Sequence, residues 1–367
     1  MWLVLELTDS PLYLGLIGLV RAIPALVFVP LGGVLADRLN KRWLFFLTHI
    51  WTLGMNLLLA FLITLGIVNV WIVLGVTFLW AIAFAINDTT RQAFIPELVE
   101  RTNLVNAISL NTTVFSTGRI IGPLLAGIII ARWNIAVSFY FTAILMVPLV
   151  LALLVIRIPN SPRPAKSGNI LKNFGEGLGY VNKNRSVAWL LFLVALPTFF
   201  GMSYTVLLPI FARDLLGVGA TGYGWLMSIS SVGAVLASLG VANLGKFSHK
   251  GWLMLWIAIT FGLLLVALAF SRWYPLSLLL VLLVGVTNTG YMTLANSLIQ
   301  LLVPDELRGR VMSLYLLNPI VVHHLGTLSL GALAAAIGTT SSLMTGGLIV
   351  SVLIAAMAIW IPRLRRL

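Results

Sequence analysis

Apolar runs of roughly 20 residues alternate with short polar turns along almost the whole chain. A helix rises about 1.5 Å per residue, so each run is long enough to cross the roughly 30 Å of hydrocarbon in a bilayer. Eleven complete spans are predicted, over residues 12–35, 43–65, 70–91, 104–131, 135–156, 187–211, 222–243, 252–271, 275–298, 311–336 and 342–362. Residues 1–7, Met-Trp-Leu-Val-Leu-Glu-Leu, are too short to span and too apolar for a soluble tail, and they lead into the turn Thr8-Asp9-Ser10-Pro11. They read as the end of a further first helix whose beginning is absent, through a misplaced gene start or a truncation. A signal peptide is a poor alternative, since there is neither a basic leader nor a small-residue cleavage site.

Composition agrees with this pattern. Of 367 residues, 60% are hydrophobic and 9% charged, and the mean hydropathy of +1.06 lies far beyond that of a water-soluble domain. The class is an all-α polytopic membrane protein. The net charge of +13 raises nucleic acid as a partner, so the placement of the bases decides. Assigning alternate loops to alternate sides puts eighteen of the 23 Lys and Arg on one face. Arg132, Arg213 and Arg272 fall on the other face, and Arg21 and Arg119 lie inside spans. By the positive-inside rule the first face is cytoplasmic, as is the C-terminus. No soluble basic module exists to bind nucleic acid. With no cysteine, thiolate metal sites and cysteine nucleophiles are excluded.

The connection over residues 157–186 divides the chain into an N-terminal half (1–156) and a C-terminal half (187–367). It holds Pro159, Pro162 and Pro164, with six bases against one acid. Within it Leu171, Phe174, Leu178 and Val181 recur at the spacing of a helix lying on the membrane surface, although Gly175, Gly177 and Gly179 weaken that helix. The halves are a diverged repeat. Gly33-Val34 corresponds to Gly240-Val241, 207 positions later, and Val99 through Ser109-Leu110 to Val303 through Ser313-Leu314, 204 positions later. Six plus six helices with a solute path between the halves is the architecture this predicts.

The turn Gly32-Gly33-Val34-Leu35-Ala36-Asp37-Arg38-Leu39-Asn40-Lys41-Arg42 resembles the loop signature between helices two and three of the major facilitator superfamily. Asn40 stands where that signature often has Gly. Arg91 to Val99, Asn106-Ala107, Arg119-Ile120-Ile121-Gly122-Pro123 and Pro304 to Ser313 are similar to the enterobactin-exporter and macrolide-efflux-like branch. The resemblance covers essentially the whole chain apart from most of the first helix. It implies a conformational latch: Asp37 accepts hydrogen bonds from the helix beginning near Arg310, where the macrodipole favours an anion, and Arg38 or Arg42 pairs with Asp88. Gly33 belongs to the same turn. The plainer reading is a solvated basic loop.

Gly118, Gly122, Pro123 and Gly127 form a small-residue stripe at mid-span. The resemblance reads it as an exporter motif with its glycine spacing partly kept, and simple helix packing explains it equally well. Arg21 and Arg119 lie at membrane depth with no carboxylate at matching depth, which makes them candidates for receiving an anionic or oxygen-rich substrate. The alternative is bonding to backbone carbonyls. Tyr204 belongs with Trp80, Phe199, Phe200, Trp225 and Tyr291 among the aromatics able to line a cavity, although most such residues pack or anchor. Glu6 and His323 are the proton-coupling candidates, with Asp88 committed to the latch and His324 beside His323.

No phosphate-binding glycine loop, zinc-type His and Glu spacing, or serine elbow occurs. The chain is therefore expected not to be an enzyme and to need no cofactor or metal. An intramembrane lipid enzyme would need clustered interfacial groups, and Asp305-Glu306 beside Arg308 is explained as a helix start. The predicted function is proton-driven export of a small organic molecule by alternating access across a bacterial plasma membrane. Uptake, lipid movement between leaflets, or an inactive fragment are the alternatives. The expected partners are the solute, membrane lipid and the proton gradient, with a monomer as the default state and the basic tail Arg363 to Arg366 meeting anionic lipid.

Overall fold

The computed structural model describes residues 1–156, 170–243 and 249–361. Within these, nothing is said of the side chains of Asp37, Ala93, Pro96, Glu97, Arg101 and residues 170–174. The Asp37 carboxylate, the Leu171 and Phe174 part of the surface stripe, the 244–248 turn and the basic tail thus lie outside the description.

Among the described residues, eleven helices are long and apolar enough to cross a membrane, each within a few residues of its predicted span. A short helix α1 (Trp2–Thr8) precedes α2 (Pro11–Arg38), α3 (Lys41–Thr64), α4 (Val70–Leu98), α5 (Leu104–Arg132) and α6 (Ile135–Val155). The linker helix α7 (Ile170–Lys183) follows. The seventh span is assembled from α8 (Arg185–Leu196), wide and tight turns over Pro197–Val206, α9 (Leu208–Ile210) and a further wide turn, Phe211–Leu215. Then come α10 (Gly219–Ala242), α11 (Lys250–Phe270), α12 (Tyr274–Leu302), α13 (Asp305–Leu317) joined through the wide turn Asn318–Val322 to α14 (His323–Ile337), and α15 (Thr339–Trp360).

Asparagine side chains start four of these helices by accepting from their first free N–H groups. Asn69 accepts from Ile72 N at 2.9 Å, Asn134 from Val137 N at 2.9 Å and Asn184 from Val187 N at 3.3 Å. Asn40, the departure from the loop signature, accepts from Arg42 N at 3.0 Å and Trp43 N at 3.3 Å, so it caps α3 where glycine would leave those donors to water.

Pairing of helices repeats between the halves. The helix pairs α2–α4, α3–α4 and α3–α6 of the first half have counterparts in α10–α12, α11–α12 and α11–α15 of the second. The halves then meet through α2 on α14 and α5 on α10, two contacts that exchange under the same pseudo-two-fold operation. Both contacts use glycine to bring backbones together. A Cβ on Gly15 would sit 2.9 Å from Thr327 O, one on Gly331 2.7 Å from Pro11 O, and one on Gly127 2.5 Å from Ala220 O.

All of these contacts lie toward the face opposite the basic loops, where α2 and α10 begin and α5 and α14 end. Asp9 and Arg213 add an ion pair between the halves there, and Trp2 stacks on Tyr223 with centroids 5.9 Å apart. Toward the basic face, a Cβ on Gly33, Gly240 or Gly309 would meet nothing within 4 Å. The bundle is closed on one face and parted on the other.

Candidate functional site

A cavity of about 180 Å³ lies between the halves, under the sealed face. The first half contributes Met1, Ile17, Gly18 and Arg21, and the second contributes Thr205, Tyr223, Met227, His323, His324 and Thr327. Arg21 is ten residues, or about 15 Å, along α2 from Pro11, near the middle of the bilayer. His323 and His324 arrive at similar depth because the wide turn Asn318–Val322 ends there and α14 restarts.

Two of the predicted candidates, Arg21 and His323, therefore face one space although 302 positions separate them. Arg21 carries its guanidinium carbon 5.2 Å from the centroid of the Trp80 ring, and Trp80 stacks on Phe84 at 5.1 Å. The rings of His323 and His324 are 5.3 Å apart. Arg21 Nε and His323 Nδ1 are buried without a hydrogen-bond partner. No carboxylate is among the lining residues.

The remaining candidates go elsewhere. Arg119 is exposed in a separate cleft of about 140 Å³ with Ser116, Ser231, Ala234, Val235, Ser238 and Thr289, so the two intramembrane arginines do not share a site. Tyr204 is 3% exposed and its hydroxyl lies 3.0 Å from Ser230 Oγ. It packs inside the second half, and the cavity tyrosine is Tyr223. Glu6 lies on the exposed side of α1, where its carboxylate accepts from Trp2 Nε1 at 2.6 Å; it does not reach the cavity.

Of the small-residue stripe, Gly127 and the Pro123 carbonyl meet α10, whereas a Cβ on Gly118 or Gly122 would meet nothing within 4 Å. Only one end of the stripe packs because α5 leaves α10 as the bundle parts.

The pairing of Arg38 or Arg42 with Asp88 is not formed by Arg42. Its Nε and Nη2 donate to the Leu153 and Leu154 carbonyls, each at 2.6 Å, which caps the end of α6. Asp88 instead accepts from Arg91 Nη2 at 2.7 Å and Gln92 Nε2 at 3.0 Å, and Arg91 also reaches Asn111 on α5 at 3.1 Å. On the other half, Arg310 pairs with Glu176 of the linker helix, and Gly177 rests against the Arg310 backbone. With the basic face parted, Arg42, Asp88 and Arg91 find partners within the first half, and Arg310 finds its partner on the linker helix. Gly33 makes no close contact, and the turn glycine that does is Gly32, whose Cβ would lie 3.0 Å from Ile86 Cα on α4.

Sequence reasoning also passed over His49. Its Nδ1 is 2.8 Å from Phe45 O and 3.0 Å from Asn87 Nδ2, which also donates to Thr48 Oγ1 at 3.0 Å. That cluster ties α3 to α4 through the half-buried Asn87. Tyr223, Met227 and Thr205 carry no sequence signal, since what brings them to the cavity is helix rotation.

Two helical halves of matching pairing, joined on one face around a cavity that both line, define a membrane carrier. The chain belongs to the transmembrane secretion effector family, which it matches across residues 1–367, and so to the major facilitator transporters. It is 28% identical to the multidrug efflux pump Tap of Mycolicibacterium fortuitum, over 100% of this chain and 91% of that one. It is 23% identical to a staphyloferrin A transporter of Staphylococcus aureus, over 86% and 80%, and 25% identical to an enterobactin exporter of Escherichia coli, over 91% and 80%. Among solved structures, the nucleoside transporter NupG superposes with a TM-score of 0.75 at 17% identity, covering 99% of this chain and 92% of that one. An inward-facing, unoccupied bacterial homologue of the lysosomal transporter Spinster superposes at 0.77 with 14% identity, covering 99% and 91%. These similarities accord with an all-helical transporter that is not an enzyme.

Proposed function

We propose that this protein is a secondary active exporter of small organic molecules that alternates access to the cavity between its halves. The observation that carries the reading is the cavity itself, lined by both halves and sealed on the side opposite the basic loops. A site shared in this way changes its access whenever the halves rock. With the basic face as the cytoplasmic one, the conformation described here is open to the cytoplasm, the side from which an exporter loads. The efflux and exporter names of the relatives support the direction.

The turn carrying Gly33, Asp37, Arg38 and Arg42 is the cytoplasmic latch of this scheme, made against the start of α13 when the cytoplasmic face closes. Asp37→Asn is expected to change labelling of that face, and unchanged labelling with unchanged export overturns the latch. Proton coupling falls to His323 rather than Glu6, because only the former borders the cavity. The test of export is accumulation of macrolides, dyes and siderophores in an efflux-deficient bacterium expressing the chain, with and without a protonophore. Lower accumulation that the protonophore abolishes is the expected result. Accumulation unchanged across the panel refutes export.

A further inference from the structure

Arg21 is a permanent cation at mid-membrane, and among the described residues lining its cavity there is no acid to balance it. A charge held in a bilayer without an opposite charge is costly, and proteins relieve that cost by pairing or by water and ligands. Here the guanidinium leans on the face of Trp80 at 5.2 Å, a contact that orients its plane and supplies part of the compensation. Its Nε nonetheless remains a buried donor without a partner, and so does the ring nitrogen Nδ1 of His323. Those two residues come from opposite halves and line one cavity together with Tyr223 and His324.

A pair of neighbouring imidazoles invites a metal reading, but no third His, Cys, Asp or Glu joins them among the described residues. A neighbouring guanidinium also repels a cation. An arginine and two histidines lining one space without an acid suit a planar anion better than a metal ion. Ile17 and Met227 leave room beside them for an apolar body.

We infer that Arg21, with His323 and His324, forms an anchor for the carboxylate of a small organic anion, and that the transported substrates include such anions. The inference rests on the exporter reading for its transport part and on the cavity alone for its binding part. An anion held by α2 on one side and α14 on the other contacts both halves at once, so its arrival bears directly on the rocking equilibrium.

The test uses purified full-length chain, with benzoate and the isosteric neutral benzamide titrated at constant chloride and neutral pH, read by tryptophan fluorescence and by melting temperature. Saturable binding of benzoate and not of benzamide is expected, with the dissociation constant raised by roughly tenfold or more in Arg21→Gln. Arg21→Lys retains part of the affinity, because charge survives while the planar fork does not. His323→Gln weakens binding less, and serves as the second variant should the Arg21 changes impair folding. Equal binding of the two probes, no saturable response to benzoate, or an affinity indifferent to both Arg21→Gln and His323→Gln overturns the anchor.

Export is scored separately in cells with Met227→Trp, which fills the cavity. If that variant loses protonophore-sensitive export while benzoate binding proves independent of Arg21 and His323, the anchor falls and the exporter stands. If benzoate binds in an Arg21-dependent way and no compound is ever exported, the exporter reading falls and the anchor stands.

Discussion

Placing one methyl group on Gly127 is expected to open the sealed face. The built Cβ lies 2.5 Å from Ala220 O and 3.2 Å from both Thr221 Cα and Gly224 Cα. Ordinary contact begins near 3.4 Å, so α5 and α10 must separate by about 1 Å or the backbone must yield. Neighbouring backbone, unlike the tip of a flexible side chain, has nowhere to rotate. Overpacking of this kind costs about 1–3 kcal/mol. The cost applies only while these helices touch, so Gly127→Ala shifts the equilibrium toward states parted on that face by roughly 5- to 150-fold.

Because the chain has no cysteine, Met227→Cys gives a single reporter in the cavity. Its reaction with a membrane-impermeant maleimide applied from the face opposite the basic loops measures the shift. Gly122→Ala, one turn earlier with nothing within 4 Å, is the internal control and is expected to leave the rate unchanged. A rate for Gly127→Ala that matches this control, in protein of unaltered melting temperature, refutes the view that glycine contacts seal the face.

Other consequences follow from single contacts. The Asp9–Arg213 pair is exposed and shared with Asp214, so Asp9→Asn is expected to raise the same labelling rate only a few-fold, and less at high salt. Exchanging the two charges is expected to restore it, and failure to do so removes the pair as a seal. Arg42→Gln loses two donors to the end of α6 and is expected to destabilise the chain by about 1–3 kcal/mol in thermal unfolding. Arg42→Lys is expected to recover less than half of that, and full recovery argues against the fork as the reason. Glu176→Gln is expected to increase amide exchange in the 175–183 part of α7 roughly fivefold. Gly177→Leu, whose Cβ meets Arg310 O at 2.8 Å, is expected to do more; equal exchange in both variants and the parent removes the ion pair and the close approach as what holds α7 to α13.

The spans were legible because hydrocarbon thickness imposes a length on any crossing helix, a property each run carries alone. The repeat was legible through two offsets of nearly equal size. What failed to show was any relation set by rotation or by state. His323 stands in the sequence beside His324 with no sign of Arg21, and in the structure it lines the same cavity as Arg21, since nothing in either helix records which faces meet. Asp88 and Arg42 are written close to a shared motif but hold different partners when the basic face is parted. Gly118, Gly122 and Gly127 look alike in sequence, yet only the last lies where α5 and α10 still touch. The wide turns at Pro197–Gly201, Phe211–Leu215 and Asn318–Val322 were hidden inside runs that read as continuous spans.

Those turns make the repeat mechanically unequal. In the first half Pro24, Pro30, Pro123 and Pro148 sit inside helices that stay α-helical around them. In the second half Pro197, Pro209 and Pro319 stand at places where the winding changes. A wide turn gives up the regular i to i−4 bonding and can be shed or shifted along a helix. One wall of the cavity is thus a regular helix carrying Arg21, and the other carries the histidines where a wide turn hands over to α14. Shedding or shifting a wide turn on the second wall moves the histidines relative to Arg21 while the first wall keeps its winding.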